Sequence, residues 1–161
     1  MTRTEYNKSV DLFSDNIYRF ILKSINDVEV AKDIVQETYT KLWIKHETVD
    51  FKKVKSYLFT TSYHTLVDYT RKEKRSTRIE ESHEKQLVHE NQYSDLKEIL
   101  DEAILGLSEK QRSAILLRDY EGYSYKEISD TLKITEAQVK VNIFRARKFL
   151  QNYLKSIETV I

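Results

Sequence analysis

The chain has 161 residues, enough for one ordinary domain or two very small ones. Hydrophobic residues are 40% and charged residues 33%, with two glycines and no proline, which argues against a sandwich or barrel and for helices. The net charge is +1, cysteine is absent, and no apolar run approaches the roughly 18 residues of a membrane span, so a disulfide framework, a cysteine-based zinc or iron–sulfur site and a thiol nucleophile are excluded.

From Tyr6 to Ile25, apolar residues recur at three- and four-residue spacing (Tyr6, Val10, Phe13, Ile17, Phe20, Ile21, Ile25), which predicts an amphipathic helix. Asn26-Asp27 breaks it, and Asp27 can cap a second helix with a buried stripe of Val28, Ala31, Val35, Tyr39, Leu42 and Trp43. His46 to Lys53 has no period and reads as a loop. A third helix from about Val54 to Arg75 is apolar or aromatic on most sides, the mark of a helix with a second surface to cover.

Ser76 to Gln92 is polar and acidic without a dense apolar stripe, and reads as a linker. It predicts two modules that move independently, with few contacts fixing their orientation. The alternative is that one module packs on the other to cover the apolar third helix. Beyond it, Leu96, Ile99, Leu100, Ala103, Ile104 and Leu107 make one helix. Three capping boxes follow: Ser108 with Gln111, Ser124 with Glu127 and Thr135 with Gln138. They place helices at about Glu109 to Tyr120, Tyr125 to Leu132 and Glu136 to Leu154. Only Lys133-Ile134-Thr135 joins the last two, which forces a sharp crossing of the helix-turn-helix kind, with a small core of Ile128, Leu132, Ile134, Val139 and Ile143.

Charge is distributed unevenly. Arg71, Lys72, Lys74, Arg75 and Arg78 outnumber Asp68 and Glu73, an acidic stretch runs from Ile79 to Glu102, and Gln138 to Lys155 holds five basic residues and no acid. Two basic patches around an acidic stretch suit two separate polyanion-binding modules, although solvated helix faces can also produce such runs. On the last helix, Lys140, Arg145 and Lys148 can contact phosphate or guanine, and Asn142 can bond an adenine edge. The four histidines show no metal-ligand spacing, and there is no glycine-rich phosphate loop, so neither an enzyme nor a cofactor is expected. The N-terminus opens no signal-peptide core, and a cytoplasmic protein is expected.

Leu107-Ser-Glu-Lys-Gln-Arg112, Leu116-Leu-Arg-Asp-Tyr-Glu-Gly-Tyr-Ser-Tyr-Lys-Glu-Ile128 and Val139-Lys-Val-Asn-Ile-Phe-Arg-Ala-Arg-Lys-Phe-Leu150 together resemble the C-terminal domain of bacterial sigma factors, in particular the short extracytoplasmic-function class. Asp33-Ile-Val-Gln-Glu-Thr-Tyr-Thr-Lys-Leu-Trp43, Lys55-Ser-Tyr-Leu-Phe-Thr-Thr-Ser-Tyr-His64 and Asp68-Tyr-Thr-Arg-Lys72 are similar to the other domain of that class. The resemblance implies an all-α protein of two small helical domains: residues 1–75 for core polymerase and the −10 promoter element, a linker at 76–95, and residues 96–161 with the helix-turn-helix for the −35 element.

The resemblance also implies site residues. Asp33, Gln36, Glu37, Lys41 and Trp43 lie where the family docks on core RNA polymerase, although Trp43 reads first as structural. Asp33, Glu37 and Lys41 share one helix face, which alone would be an ordinary salt-bridged surface. Opening and holding the −10 strand needs an aromatic pocket for an unstacked base and cations along its backbone. Phe51, Tyr57, Tyr63 and His64 can supply the pocket, and Lys53, Arg71, Lys72 and Arg75 the cations. The −35 set is Lys140, Asn142, Phe144, Arg145 and Lys148. Two positions depart from the family pattern: His64 stands where many members have asparagine, and Val141 where a small hydroxyl residue is usual. The implied partners are core RNA polymerase, promoter DNA and an anti-sigma factor. The rival reading is a stand-alone helix-turn-helix regulator that binds its operator without polymerase.

Overall fold

The computed structural model describes residues 1–77 and 96–158, and the described residues contain seven α-helices and no strand. Helix α1 (Arg3–Ile25) begins three residues before the expected start. Thr2 and Glu5 form a capping box there: the Glu5 amide donates to the Thr2 hydroxyl at 3.1 Å, and the Thr2 amide donates to the Glu5 carboxylate at 2.9 Å. The helix ends at Asn26 in the left-handed region, φ 52°. Asp27 then caps α2 (Val28–Lys45) by accepting from the Val30 amide at 3.1 Å.

The buried stripe of α2 is rotated from the one expected. Ala31, Ile34, Thr38, Tyr39 and Leu42 face inward, whereas Val28 and Trp43 are 46% and 43% exposed and Val35 is half-buried. Thr38 can occupy a core position because its hydroxyl donates to the Ile34 carbonyl at 2.7 Å, satisfying its polar group inside the helix. The expected loop at His46 to Lys53 consists of two 3₁₀ turns, His46–Thr48 and Phe51–Lys53. Helix α3 (Val54–Thr77) follows, so Ser76 and Thr77, expected as linker, are helical, and the rest of the predicted linker lies outside the described residues.

In the C-terminal half, α4 (Leu96–Leu105) and α5 (Glu109–Ile115) are followed by a π turn at Leu116–Tyr120, where one continuous α-helix was expected from Glu109. Helices α6 (Tyr125–Leu132) and α7 (Glu136–Glu158) complete the chain. Two of the three expected capping boxes are reciprocal, at Ser124/Glu127 and Thr135/Gln138. At Ser108 the structure shows one arm, the Gln111 amide donating to the hydroxyl at 3.4 Å.

Helices α1, α2 and α3 pack on one another, as do α5, α6 and α7. The expectation of few contacts between the halves is not met. Helix α3 packs on α6 and α1 on α4, and buried residues from both halves form one continuous apolar cluster that includes Phe20, Phe59, Leu116, Tyr123 and Ile128. The physical reason is the one the sequence carried in α3: apolar on two sides, it buries one side within the N-terminal half and the other against the C-terminal half.

Candidate nucleic-acid and polymerase interface

The helix-turn-helix forms as the cap spacing predicts. Lys133 ends α6 in the left-handed region at φ 56°, and Ile128, Leu132, Val139 and Ile143 are buried beneath the crossing with Ile134 half-buried. On the outward side of α7, Lys140, Val141, Phe144, Arg145 and Lys148 are exposed. Several polar groups near this face already have partners. The Asn142 side-chain amide donates to the Gln138 carbonyl at 2.8 Å, the Lys140 ammonium sits 5.4 Å from the Tyr125 ring centroid, and Arg147 pairs with Asp119 at 2.6 Å. Arg118 covers the same Tyr125 ring at 4.4 Å, adding a cation from the neighbouring helix.

On the N-terminal half, Asp33, Gln36 and Glu37 are exposed on α2. The Lys41 ammonium turns toward α3, 3.3 Å from the Glu37 carboxylate and donating to the Thr65 hydroxyl at 3.0 Å. Trp43 is half-exposed, with its ring edge-on to Tyr6 at 5.0 Å and stacked on His46 at 4.3 Å. Asp33 and Glu37 also border a cleft shared with Asp68 and Lys72 on α3.

Between α2 and α3 lies a shallow pocket of about 420 Å³ lined by Lys41, Ile44, Lys45, Tyr57, Thr61 and His64. It brings Tyr57 and His64 together beside two cations, the combination an unstacked base and its phosphates require. Phe51 is elsewhere, 5.6 Å from the Lys8 ammonium of α1. Lys53, Arg71, Lys72 and Arg75 are exposed, the last three along the C-terminal part of α3. Tyr63 is not in the pocket. It is 3% exposed and bound to the C-terminal half, its hydroxyl donating to the Glu109 carboxylate at 3.1 Å and accepting from the Lys110 ammonium at 2.9 Å. Burial and the Glu109 charge push its phenol pKa up. His64 is shifted down by partial burial and then by the lysines Lys133, Lys110 and Lys41, against the opposing pull of Asp68.

Residues 10–76 match the family described as Sigma-70 region 2, and residues 97–150 match Sigma-70, region 4. The chain is 31% identical over 145 residues to the ECF RNA polymerase sigma factor SigM of Bacillus subtilis, with 87% of this chain and 89% of the relative covered. It belongs to the extracytoplasmic-function class of sigma factors. The sigma factor is also 24% identical over 164 residues to SigW of the same organism, covering 92% of this chain and 88% of the relative. Among solved structures it is similar to the sigma factor RpoE of Bartonella quintana in complex with the anti-sigma factor NepR, with a TM-score of 0.80, 27% identity, and 93% of this chain and 96% of that chain covered.

Pattern reading missed the groups by which this sigma factor joins its halves. Arg112 donates four hydrogen bonds to backbone carbonyls, three at the end of α4 (Ile104, Leu105, Leu107) and one to Ser24 of α1 at 3.0 Å. It thus caps two helix ends at once, one in each half. Tyr123 packs against Phe59 at 5.1 Å with the Lys55 ammonium over its ring at 4.7 Å. Arg19 pairs with Glu121 at 2.9 Å and Lys23 with Asp101 at 2.8 Å. The partners that cross between the halves are far apart in sequence, so no local spacing announces them. The one available signal was the excess apolar surface of α3.

Proposed function

We propose that this sigma factor divides initiation among three surfaces. Asp33, Gln36 and Glu37 of α2, with Lys41 at the edge, dock on core RNA polymerase. The pocket of Tyr57 and His64, with the exposed Lys53, Arg71, Lys72 and Arg75, takes the opened −10 strand, and Phe51 and Tyr63 join it only after rearrangement. The outward face of α7, with Lys140, Asn142, Phe144, Arg145 and Lys148, enters the major groove of the −35 element. The protein acts by binding alone, in the cytoplasm where polymerase and promoter are found. The observation that carries this reading is the coexistence, in one chain, of a helix-turn-helix whose last helix carries no acid between Ala137 and Ile157 and an open pocket that joins Tyr57 and His64 beside two lysines. The proposed division of residues 1–75 and 96–161 follows the same surfaces.

An anti-sigma factor is the further proposed partner. Its support is the similarity, over nearly the full chain, to a sigma factor crystallised with one. A partner that grips both halves would keep α3 and the −10 pocket from DNA.

Run-off transcription with purified core polymerase tests the assignment. The parent protein is expected to direct initiation from a defined start, and the double reversal Asp33→Lys/Glu37→Lys to lose core binding by roughly ten- to a hundredfold while folding normally, since both side chains are exposed. Operator binding by the free protein with no dependence on polymerase would favour the stand-alone regulator.

A further inference from the structure

The outward face of α7 is unusual for a DNA reader in what stands at its centre. Val141 and Phe144 are 45% and 66% exposed, three residues apart and therefore neighbours on the helix surface. Phe144 makes no ring contact with another aromatic among the described residues. A hydroxyl or amide here would suit hydrogen-bonded base reading, and the side-chain amide of the adjacent Asn142 is already committed to the Gln138 carbonyl. Arg145 and Lys148 flank the apolar pair and have no ion-pair or hydrogen-bond partner among the described residues, and no acid lies between Ala137 and Ile157. An apolar pair framed by free cations matches one surface in particular: a major groove, where phosphates rim the floor and the only apolar group offered by the bases is the 5-methyl of thymine.

We infer that Val141 and Phe144 read thymine methyl groups in the upstream element, so that discrimination at one or two positions rests on apolar contact rather than on hydrogen bonds. This rests on the reading of α7 as the −35 helix. Arg145 and Lys148 hold the helix against the backbone and bring the two side chains to the base edges, and Val141 supplies two methyls where a polar side chain would prefer a base edge that donates or accepts. The upstream elements preferred by this sigma factor should therefore carry thymine, on one strand or the other, at fixed positions beneath the pair.

The test uses full-length protein assembled with core polymerase. Promoters are first selected from a pool randomised upstream of a constant −10 region, and each thymine of the winning upstream element is then replaced, one at a time, by deoxyuridine. Deoxyuridine keeps the pairing and every hydrogen-bonding atom and removes only the methyl. One or two positions are expected to lose about three- to fivefold in affinity, the effect of burying about one methyl group. At those positions the thymine-to-deoxyuridine ratio should fall to near one for Phe144→Ala and Val141→Ala, and stay close to the parent's for Val141→Ile, which keeps the apolar surface. Selected elements without fixed thymines, a ratio near one everywhere in the parent, or a ratio unchanged by Phe144→Ala and Val141→Ala each overturn the inference. So does a Phe144→Ala variant that loses core polymerase in the absence of DNA, since the patch is then a protein-docking surface. Failure of the assembled enzyme to select any promoter would instead strike at the proposed function itself.

Discussion

The two helices proposed to meet DNA in this sigma factor are presented differently. On α7 Val141, Phe144, Arg145 and Lys148 point into solvent, with Phe144 two-thirds exposed. On α3 the side chains nearest the second half are covered: Phe59 is fully buried against Tyr123, and Tyr63 is tied to Glu109 and Lys110. A helix-turn-helix keeps its apolar residues beneath the crossing and leaves the reading face to solvent. A helix that must grip an unpaired strand needs aromatic surface, and in the absence of DNA that surface finds another apolar partner. The chain as folded thus offers its proposed upstream reader and withholds part of its proposed downstream one.

The largest expected break in that contrast comes from Arg112→Ala. It removes four charge-assisted hydrogen bonds and leaves carbonyls at two helix ends without their donor, so a loss of about 3 to 5 kcal/mol is expected in urea unfolding. Because the guanidinium reaches both halves, the transition should also broaden or split. A loss below about 1 kcal/mol would show that water replaces the guanidinium freely and that it does not hold the halves together.

A smaller and more selective effect is expected of Tyr63→Phe. It keeps the ring and deletes the hydroxyl that Glu109 and Lys110 share, at a stability loss of about 1 kcal/mol. Amide exchange should quicken at the junction of α3 with α5 and stay unchanged in the outer turns of α7. Equal quickening in both places would mean that the two faces are not separately controlled.

The smallest effect is on pH. His64 has a pKa below its ordinary value of 6.5 in the folded chain, through partial burial and then Lys133, Lys110 and Lys41. As pH falls through the ordinary value toward the lowered one, the unfolded chain binds more protons than the folded one, so folded stability declines across that window and is complete above it. The urea midpoint should therefore drop slightly between about pH 7.5 and about pH 5.5, and His64→Gln should flatten the difference. An equal drop in the variant would assign the effect to other groups.

Local chemistry made much of this molecule legible. Ser124/Glu127 and Thr135/Gln138 announce α6 and α7 because a cap is settled within four residues, and the three-residue turn leaves little choice of crossing. The register of α2 was misread because Thr38 looks polar on paper and satisfies its hydroxyl on its own helix. The grouping of Tyr57 with His64, and the separation of both from Phe51, depend on how α2 crosses α3, which spacing along one helix does not encode. Tyr63 and Glu109 are 46 residues apart, and only the folded chain brings them together.

The π turn at Leu116–Tyr120 bears on how sequences of this kind are aligned. Its wider loop sends three successive side chains to three different helices: Arg118 over Tyr125 of α6, Asp119 to Arg147 of α7, and Tyr120 beneath Lys23 of α1. Relative to a regular α-helix it amounts to one extra residue taken up in a wider turn, so the chain reaches Glu121 without the rotation of about 100° that the same residue would impose on a regular helix. A one-residue gap at this place between two otherwise matching chains is therefore absorbed where it falls, by the wide turn tightening to a regular one. The helix-turn-helix would keep both its internal form and the direction of its reading face, and what would change is which side chains Arg147, Tyr125 and Lys23 meet.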